Sequence, residues 1–372
     1  MIDIIIPVYK GAHQTRRCID SVMGSRQAAA FEVVVIDDAS PDPDIARYLD
    51  EAAGRGRITL LRNPSNLGFV QTVNRGMALH ADRDVVLLNS DTEVANDWLD
   101  RLHRSAYGQS DVATVTPFSN NATICSYPFE GWTGGVPGTL GLAALDRLFA
   151  ATNAGRTLDL PTAVGFCMYI RRACLDQLGL FDAQRFGRGY GEENDFCMRA
   201  AHAGWRNVLA GDVFIFHEGA VSFSGERVAL TLQAGKTLAD MYPDYVRQVR
   251  EFVTRDPASA LRAAVDRARG ELGTEELKQV LAERMDEQTL LRARLMEAEK
   301  HAEKLHQVLA STEILLAERD EEIAKLRSGL GHAEALAFQR AGELEALQRS
   351  WIWKCRIYLM RMKSRRHPQS PA

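Results

Sequence analysis

From Ala258 to His367 the chain contains no proline, although it has 12 in all. Proline lacks an amide hydrogen and clashes with the preceding helical turn. Its absence over so long a stretch therefore predicts long helix. A heptad pattern runs through the same residues. With Leu277 at position d, 17 of the 22 a and d positions through Trp351 are apolar, which marks a coiled coil. The exceptions are Arg284, Gln288, Thr312, Arg319 and Arg340. A lone helix would expose too much apolar surface along such a stripe, so a homo-oligomer is expected, a dimer first of all. From Leu277 to Trp351 the helix would span roughly 110 Å at about 1.5 Å per residue. Gly329 and Gly331 each weaken it by roughly 1 kcal/mol relative to Ala and predict a break or hinge. A bundle folded back on the rest of the chain is the alternative. Beyond the heptads, Arg349–Arg366 carries seven positive charges, no negative one, and Trp351, Trp353 and Tyr358. That mixture suits peripheral contact with an anionic membrane. A solvated basic tail is the bland reading.

The preceding part is punctuated differently. Up to Pro257 it holds 23 of the 28 glycines and 10 of the 12 prolines, as short elements joined by turns require. Ile2–Pro7, Phe31–Ile36, Ile58–Leu61, Val85–Leu88 and Val112–Thr116 read as strands. Ala163–Ile170 and Val213–Phe216 read as later strands. Gln14–Ser25, Pro43–Ala53, Phe69–Ala81 and Ala95–Tyr107 read as intervening helices, and Thr231–Val253 as closing helices. Such alternation predicts an α/β domain with a mostly parallel sheet. A net charge of −4 argues against general nucleic-acid binding. The six cysteines form no C-x-x-C pair and read as small core thiols in a reducing compartment. The N-terminal run lacks the basic flank of a signal peptide, so a cytoplasmic location is expected.

Polar residues follow four of the predicted strands: Pro7-Val8-Tyr9, Asp37-Asp38, Asn89-Ser90-Asp91-Thr92-Glu93 and His217. Ligands of open α/β sheets bind beyond the carboxyl ends of strands, although carboxylates and Asn there also cap helices. Asp38 could accept an N–H from a nucleobase, with Tyr9 stacked on it. Asp91 and His217 suit Mn²⁺ or Mg²⁺. No G-x-x-x-x-G-K-[ST] loop and no G-x-G-x-x-G after the first strand is present. A metal must then carry much of a diphosphate's charge. The run Gly187-Arg188-Gly189-Tyr190-Gly191-Glu192-Glu193-Asn194-Asp195 opens a helix with three acids in its first turn. The helix dipole favours acids there. Asp195 can pair with Arg199 at i, i+4, which leaves Glu192 or Glu193 as a general base.

Together these runs resemble a family 2 glycosyltransferase with a GT-A fold, of the type that extends bacterial surface polysaccharides. The matching segments are Ile4–Tyr9, Val35–Ser40, Asn66-Leu67-Gly68-Phe69, Asn74-Arg75-Gly76, Leu87–Glu93, Gly179–Asp182, Gly191–Phe196 and His217. The resemblance implies a Rossmann-like mixed sheet of the nucleotide-diphospho-sugar transferase kind. It implies donor contacts from Pro7, Tyr9, Asp38, Asn66, Gly68 and Asn89, a metal on Asp91 and His217, and Glu193 as the base. Two departures stand out. Ser90 replaces the acid often found before Asp91. Glu193 replaces an Asp, so Glu192 and Asp195 are alternative bases.

The resulting expectation is a catalytic domain over residues 1–225, closing helices and linker over 226–257, a coiled coil over 258–350 and a basic aromatic tail over 351–372. The expected activity is inverting transfer of a sugar from a nucleotide-diphosphate donor to a glycan or lipid-linked acceptor, in cell-surface polysaccharide synthesis, near the inner face of the plasma membrane. A coiled-coil scaffold that binds a nucleotide sugar without turnover is the alternative. A nucleotidyltransferase fits poorly, because Lys10-Gly11-Ala12-His13 is no glycine-rich basic loop.

Overall fold

Along Ile2–Val8 (β1), Ile4, Ile6 and Val8 pack into one apolar cluster and Ile5 into another. Successive strand side chains point to opposite faces, so this alternation shows a sheet buried on both sides. The computed structural model describes residues 1–219 and 226–364. The last six residues of the expected catalytic region, Arg365 and Arg366 of the basic stretch, and the Trp351 side chain lie outside the described residues.

Helices and strands alternate after β1: Ala12–Gly24 (α1), Phe31–Asp37 (β2), Pro43–Gly54 (α2), Thr59–Arg62 (β3), Phe69–Met77 (α3) and Asp84–Leu88 (β4). Thr92–Glu93 (β5), Trp98–Tyr107 (α4), Val112–Ser119 (β6), Leu142–Thr152 (α5), Thr157–Leu160 (β7) and Cys167–Ile170 (β8) follow. Arg172–Leu178 (α6), Ala183–Phe186 (α7), Glu192–His202 (α8) and Arg206–His217 (β9) complete the alternation. The strands order as β3-β2-β1-β4-β8-β6-β9-β5, with β7 also on β9. The sheet is mixed rather than mostly parallel. Strands β1, β2, β3 and β4 run parallel, while β8 is antiparallel to both β4 and β6. Ala163–Phe166, read from sequence as the start of a strand, turns ahead of β8 instead. Because β8 runs against β4, that turn lies where β4 ends, and the amide of Asn89 donates to the Phe166 carbonyl at 2.9 Å.

The closing helices are Glu226–Met241 (α9) and Tyr245–Arg255 (α10), separated around Pro243. Ser259–Glu271 (α11), Thr274–Arg349 (α12) and Trp351–Ser364 (α13) finish the chain. Helix α12 is continuous through Gly329 and Gly331, so the expected break does not occur there. The interruption lies instead at Leu272-Gly273, where Gly273 has φ +150°.

Two compact units divide the chain, Met1–Gln288 and Thr289–Ala372. Residues 258–288, expected to open the coiled coil, therefore belong to the first unit. Leu261 and Val265 of α11 are buried in the core that contains Tyr127 and Phe149. Arg269 is fully buried and donates to Glu276 at 2.7 Å, Glu283 at 2.6 Å and the Tyr127 hydroxyl at 2.9 Å. Glu276 accepts from the amide and hydroxyl of Thr139. Arg284, at a heptad core position, pairs with Asp266. In the second unit the side chains of α12 are exposed, Leu291, Leu305, Leu316 and Leu326 among them. Among the described residues no helix is long and apolar enough to cross a membrane.

Candidate active site

A cleft of about 320 Å³ opens at the carboxyl ends of β1, β2 and β4. Its walls include Pro7, Tyr9, Asp38, Asn66, Gly68, Asn89, Asp91, Glu192, Glu193 and His217, every expected site residue except Asp195. Asp195 is 1% exposed and engaged elsewhere, with Arg199 at 2.9 Å and the Tyr242 hydroxyl at 2.7 Å. Its carboxylate ties α8 to the turn that follows α9, away from the residues that line the cleft.

Asp38 is buried and organises the loop above it. Its carboxylate accepts from Asn63 Nδ2 at 2.7 Å and from the amides of Leu67 at 2.8 Å and Gly68 at 2.9 Å. Gly68 has φ +83°, and a Cβ there would lie 2.8 Å from Arg188 Cα. Glycine alone allows this close approach. The 186–191 loop seats on it, with Phe69 N donating to Arg188 O at 3.0 Å and Arg188 to Asn66 Oδ1 at 2.7 Å.

The short strand β5 pairs with the end of β9, Thr92 opposite His217. That register sets His217 Nε2 3.5 Å from Asp91 Oδ1. His217 Nδ1 lies 2.7 Å from the Asn121 carbonyl oxygen, which only accepts. A proton therefore sits on Nδ1, which turns the other ring nitrogen, Nε2, toward the Asp91 carboxylate. An imidazole nitrogen and a carboxylate oxygen at this separation form a donor pair that fits Mn²⁺ or Mg²⁺. Phe166 stacks on the imidazole, with centroids 5.2 Å apart at 19°. Asn120 clamps the main chain of His217, accepting its N–H at 2.8 Å and donating to its carbonyl at 3.0 Å.

Gly191, at φ +92°, turns the chain into α8. Glu192 is 5% exposed, and its Oε2 has no hydrogen-bond partner among the described residues. Burial, and then the charge of Glu193, push the Glu192 carboxyl well above the ordinary carboxylate range. Burial also raises Glu193, opposed by backbone amides at the start of α8. Among the residues lining the cleft Arg188 is the one permanent cation. Sequence reading had not singled out Phe166, Asn120, Asn121 or the side chain of Arg188. A glycine-aromatic turn before a strand and paired asparagines after one were the available signals.

Residues 3–179 match the family model Glycosyl transferase family 2. The chain is 23% identical over 232 residues to the uncharacterized protein y4gI of Sinorhizobium fredii (strain NBRC 101917 / NGR234), covering 60% of this chain and 25% of that one. It is 26% identical over 226 residues to an N-acetylglucosaminyltransferase of Rhizobium sp. (strain N33), covering 57% of this chain and 47% of that protein. The alignments thus span a quarter to about half the length of these relatives. In structure it is similar to GalNAc-T7 solved with UDP, GalNAc and Mn²⁺, with a TM-score of 0.50, 19% identity, and coverage of 71% of this chain and 53% of that one. That likeness is one of fold, GT-A.

Proposed function

We propose that this cleft transfers a sugar from a nucleoside-diphosphate donor to an acceptor hydroxyl, with inversion at the anomeric carbon. The observation that carries the reading is the facing pair Asp91 and His217 in the same cleft as Glu193. Tyr9 and Asp38 lie where a donor base would stack and donate an N–H, with Pro7, Asn66, Gly68 and Asn89 alongside. Glu193 takes the proton from the acceptor hydroxyl as its oxygen attacks the anomeric carbon. The bond to the diphosphate breaks with its electron pair leaving on the departing oxygen. A divalent cation held by Asp91 and His217 would supply Lewis-acid stabilisation of that charge. Burial raises the proton affinity of Glu193, which makes it a stronger base once ionised.

The acceptor in this reading is a glycan, on a lipid carrier at a membrane surface. Exposed Ile352, Tyr358, Leu359 and Met360 on α13, with Lys354, Arg356, Arg361 and Lys363, support peripheral contact with anionic lipid. The heptad stripe supports self-association.

Release of nucleoside diphosphate from a panel of donors, with Mn²⁺ and hydroxyl acceptors, tests the reading. Glu193→Gln should retain donor binding and lose at least about 10²-fold in turnover. The acid limb of the wild-type rate should lie above the ordinary carboxylate range, because Glu193 must be ionised to act and its proton affinity is raised. Turnover unchanged by Glu193→Gln would transfer the base role to Glu192. Silence with every donor would leave a binding scaffold.

A further inference from the structure

We infer that the segment from Thr289 to Trp351 pairs with the same segment of a second copy in parallel and in register, selected by charges flanking the apolar stripe. This deepens, and rests on, the self-association proposed above. It does not depend on the chemistry of the cleft.

The leucines of the a and d positions are about half to two-thirds exposed: Leu291 54%, Leu305 64%, Leu316 59% and Leu330 61%. With Leu277 at d, Arg294 and Glu322 fall at g, and Glu299 and Arg327 at e. In a parallel pair, each g residue meets the e residue five positions on in the partner helix. Arg294 then meets Glu299, and Glu322 meets Arg327, each twice in a symmetric dimer. The remaining g-to-e contacts in this segment set no like charges together: His301 with His306, Val308 with Glu313, Leu315 with Asp320, Gly329 with Glu334, Leu336 with Ala341, and Glu343 with Gln348.

Antiparallel pairing brings g against g and e against e. Two such registers overlap the segments most fully. One sets Glu322 and Asp320 each against its own copy. The other sets Glu299 against Glu334 and Glu313 against Asp320. Each gains one opposite pairing, made twice: Glu313 with Arg327 offsets the repulsion in the first register, while Arg294 with Glu343 is outnumbered two to one in the second. Only the parallel register has attraction without repulsion.

The arginines at d are the apparent objection, since Arg319 and Arg340 each meet their own copy in a parallel pair. Each is followed three residues later by a g-position glutamate, Glu322 and Glu343. Arg319 Nη1 lies 2.6 Å from Glu322 Oε2. That carboxylate draws the guanidinium to the edge of the seam and neutralises it. A polar core layer of this kind lowers stability but fixes register.

The test uses the full chain with Cys355→Ser, the other five cysteines being buried. Ala298→Cys and Ala333→Cys each place a thiol at d. In the parallel register each thiol faces its own copy, so mild oxidation should convert most chains of either variant to covalent dimers. In an antiparallel or shifted pair each d position faces a different residue and neither variant closes. Arg294→Glu should weaken the dimer several-fold in dissociation constant, and adding Glu299→Arg should restore it, because this pair flanks apolar d residues and leaves Arg319 with Glu322. A full-length monomer in light scattering would overturn both the self-association and this pairing. A dimer in which neither thiol closes, or in which the double charge swap fails to restore affinity, would overturn the pairing alone.

Discussion

Glu192 is a carboxyl that burial and a neighbouring acid have made hard to ionise, and its protein partners leave Oε2 unsatisfied. Its folded proton affinity exceeds the unfolded one, near the ordinary 4.5. Below that value both states are protonated and the residue imposes no penalty. As pH rises from there toward the folded value, the unfolded chain ionises first and stability falls, then levels off. Glu192→Gln should remove this loss, so its melting temperature should exceed the wild type at neutral pH and converge with it in acid. Thermal melts across that range check the sign. Asn120 acts through the main chain of His217. Asn120→Ala should weaken Mn²⁺ binding at least about tenfold, the usual effect of losing a group that orients a ligand. Calorimetric titration of Mn²⁺ reads this directly, and unchanged affinity would mean His217 needs no clamp. Asp38, Asp91 and His217 were legible in the sequence because parallel strands deliver their carboxyl-end residues to one edge. Asn120 was not, because its contacts to His217 cross 97 residues of chain. Neither was Phe166, because an apolar run hides the turn at its start.

At the scale of elements, helix α11 and the first turns of α12 are part of the first unit, Met1–Gln288. Heptad spacing could not reveal this, because the buried face of α12 is Glu276, Val280 and Glu283, while Leu277 and Leu281 of the apolar stripe stay exposed. The buried charges mark the difference. Arg269 of α11 sits between Glu276 and Glu283, which lie off the heptad stripe, and Arg284, at a d position, pairs with Asp266 of the same unit. Cutting the chain after Gln288 should leave a folded, cooperatively melting unit that still releases nucleoside diphosphate. Cutting after Pro257 removes buried Leu261 and Val265, each worth roughly 1.5–3 kcal/mol, and exposes the core around Tyr127. That shorter piece should melt without cooperativity or aggregate. Arg269→Met should cost roughly 3–5 kcal/mol, because two buried carboxylates lose their shared cation. Denaturant titration of these variants orders the effects, and a stable piece ending at Pro257 would contradict the assignment. The α/β alternation itself was readable from β-branched runs. The reversed strand β8 was not, because strand direction leaves no trace in a four-residue apolar segment.

For the molecule as a whole, two units with different supports should unfold separately. The first rests on a two-faced sheet core. The second has little burial of its own, so in the pairing proposed above its transition should rise with protein concentration while that of the first should not. Calorimetry at two concentrations distinguishes them. The basic residues of α13 should hold the full chain on anionic vesicles at low salt and release it as salt rises; sedimentation that ignores salt would count against this contact. Gly329 and Gly331 have one more consequence. They lie within an unbroken helix, yet each lowers its local stability by about 1 kcal/mol relative to Ala. That makes their turn the first place where the second unit opens and a protease can enter. A single cut there would part the cationic end of the chain from the cleft, so shedding would release the first unit with every residue that lines the cleft intact.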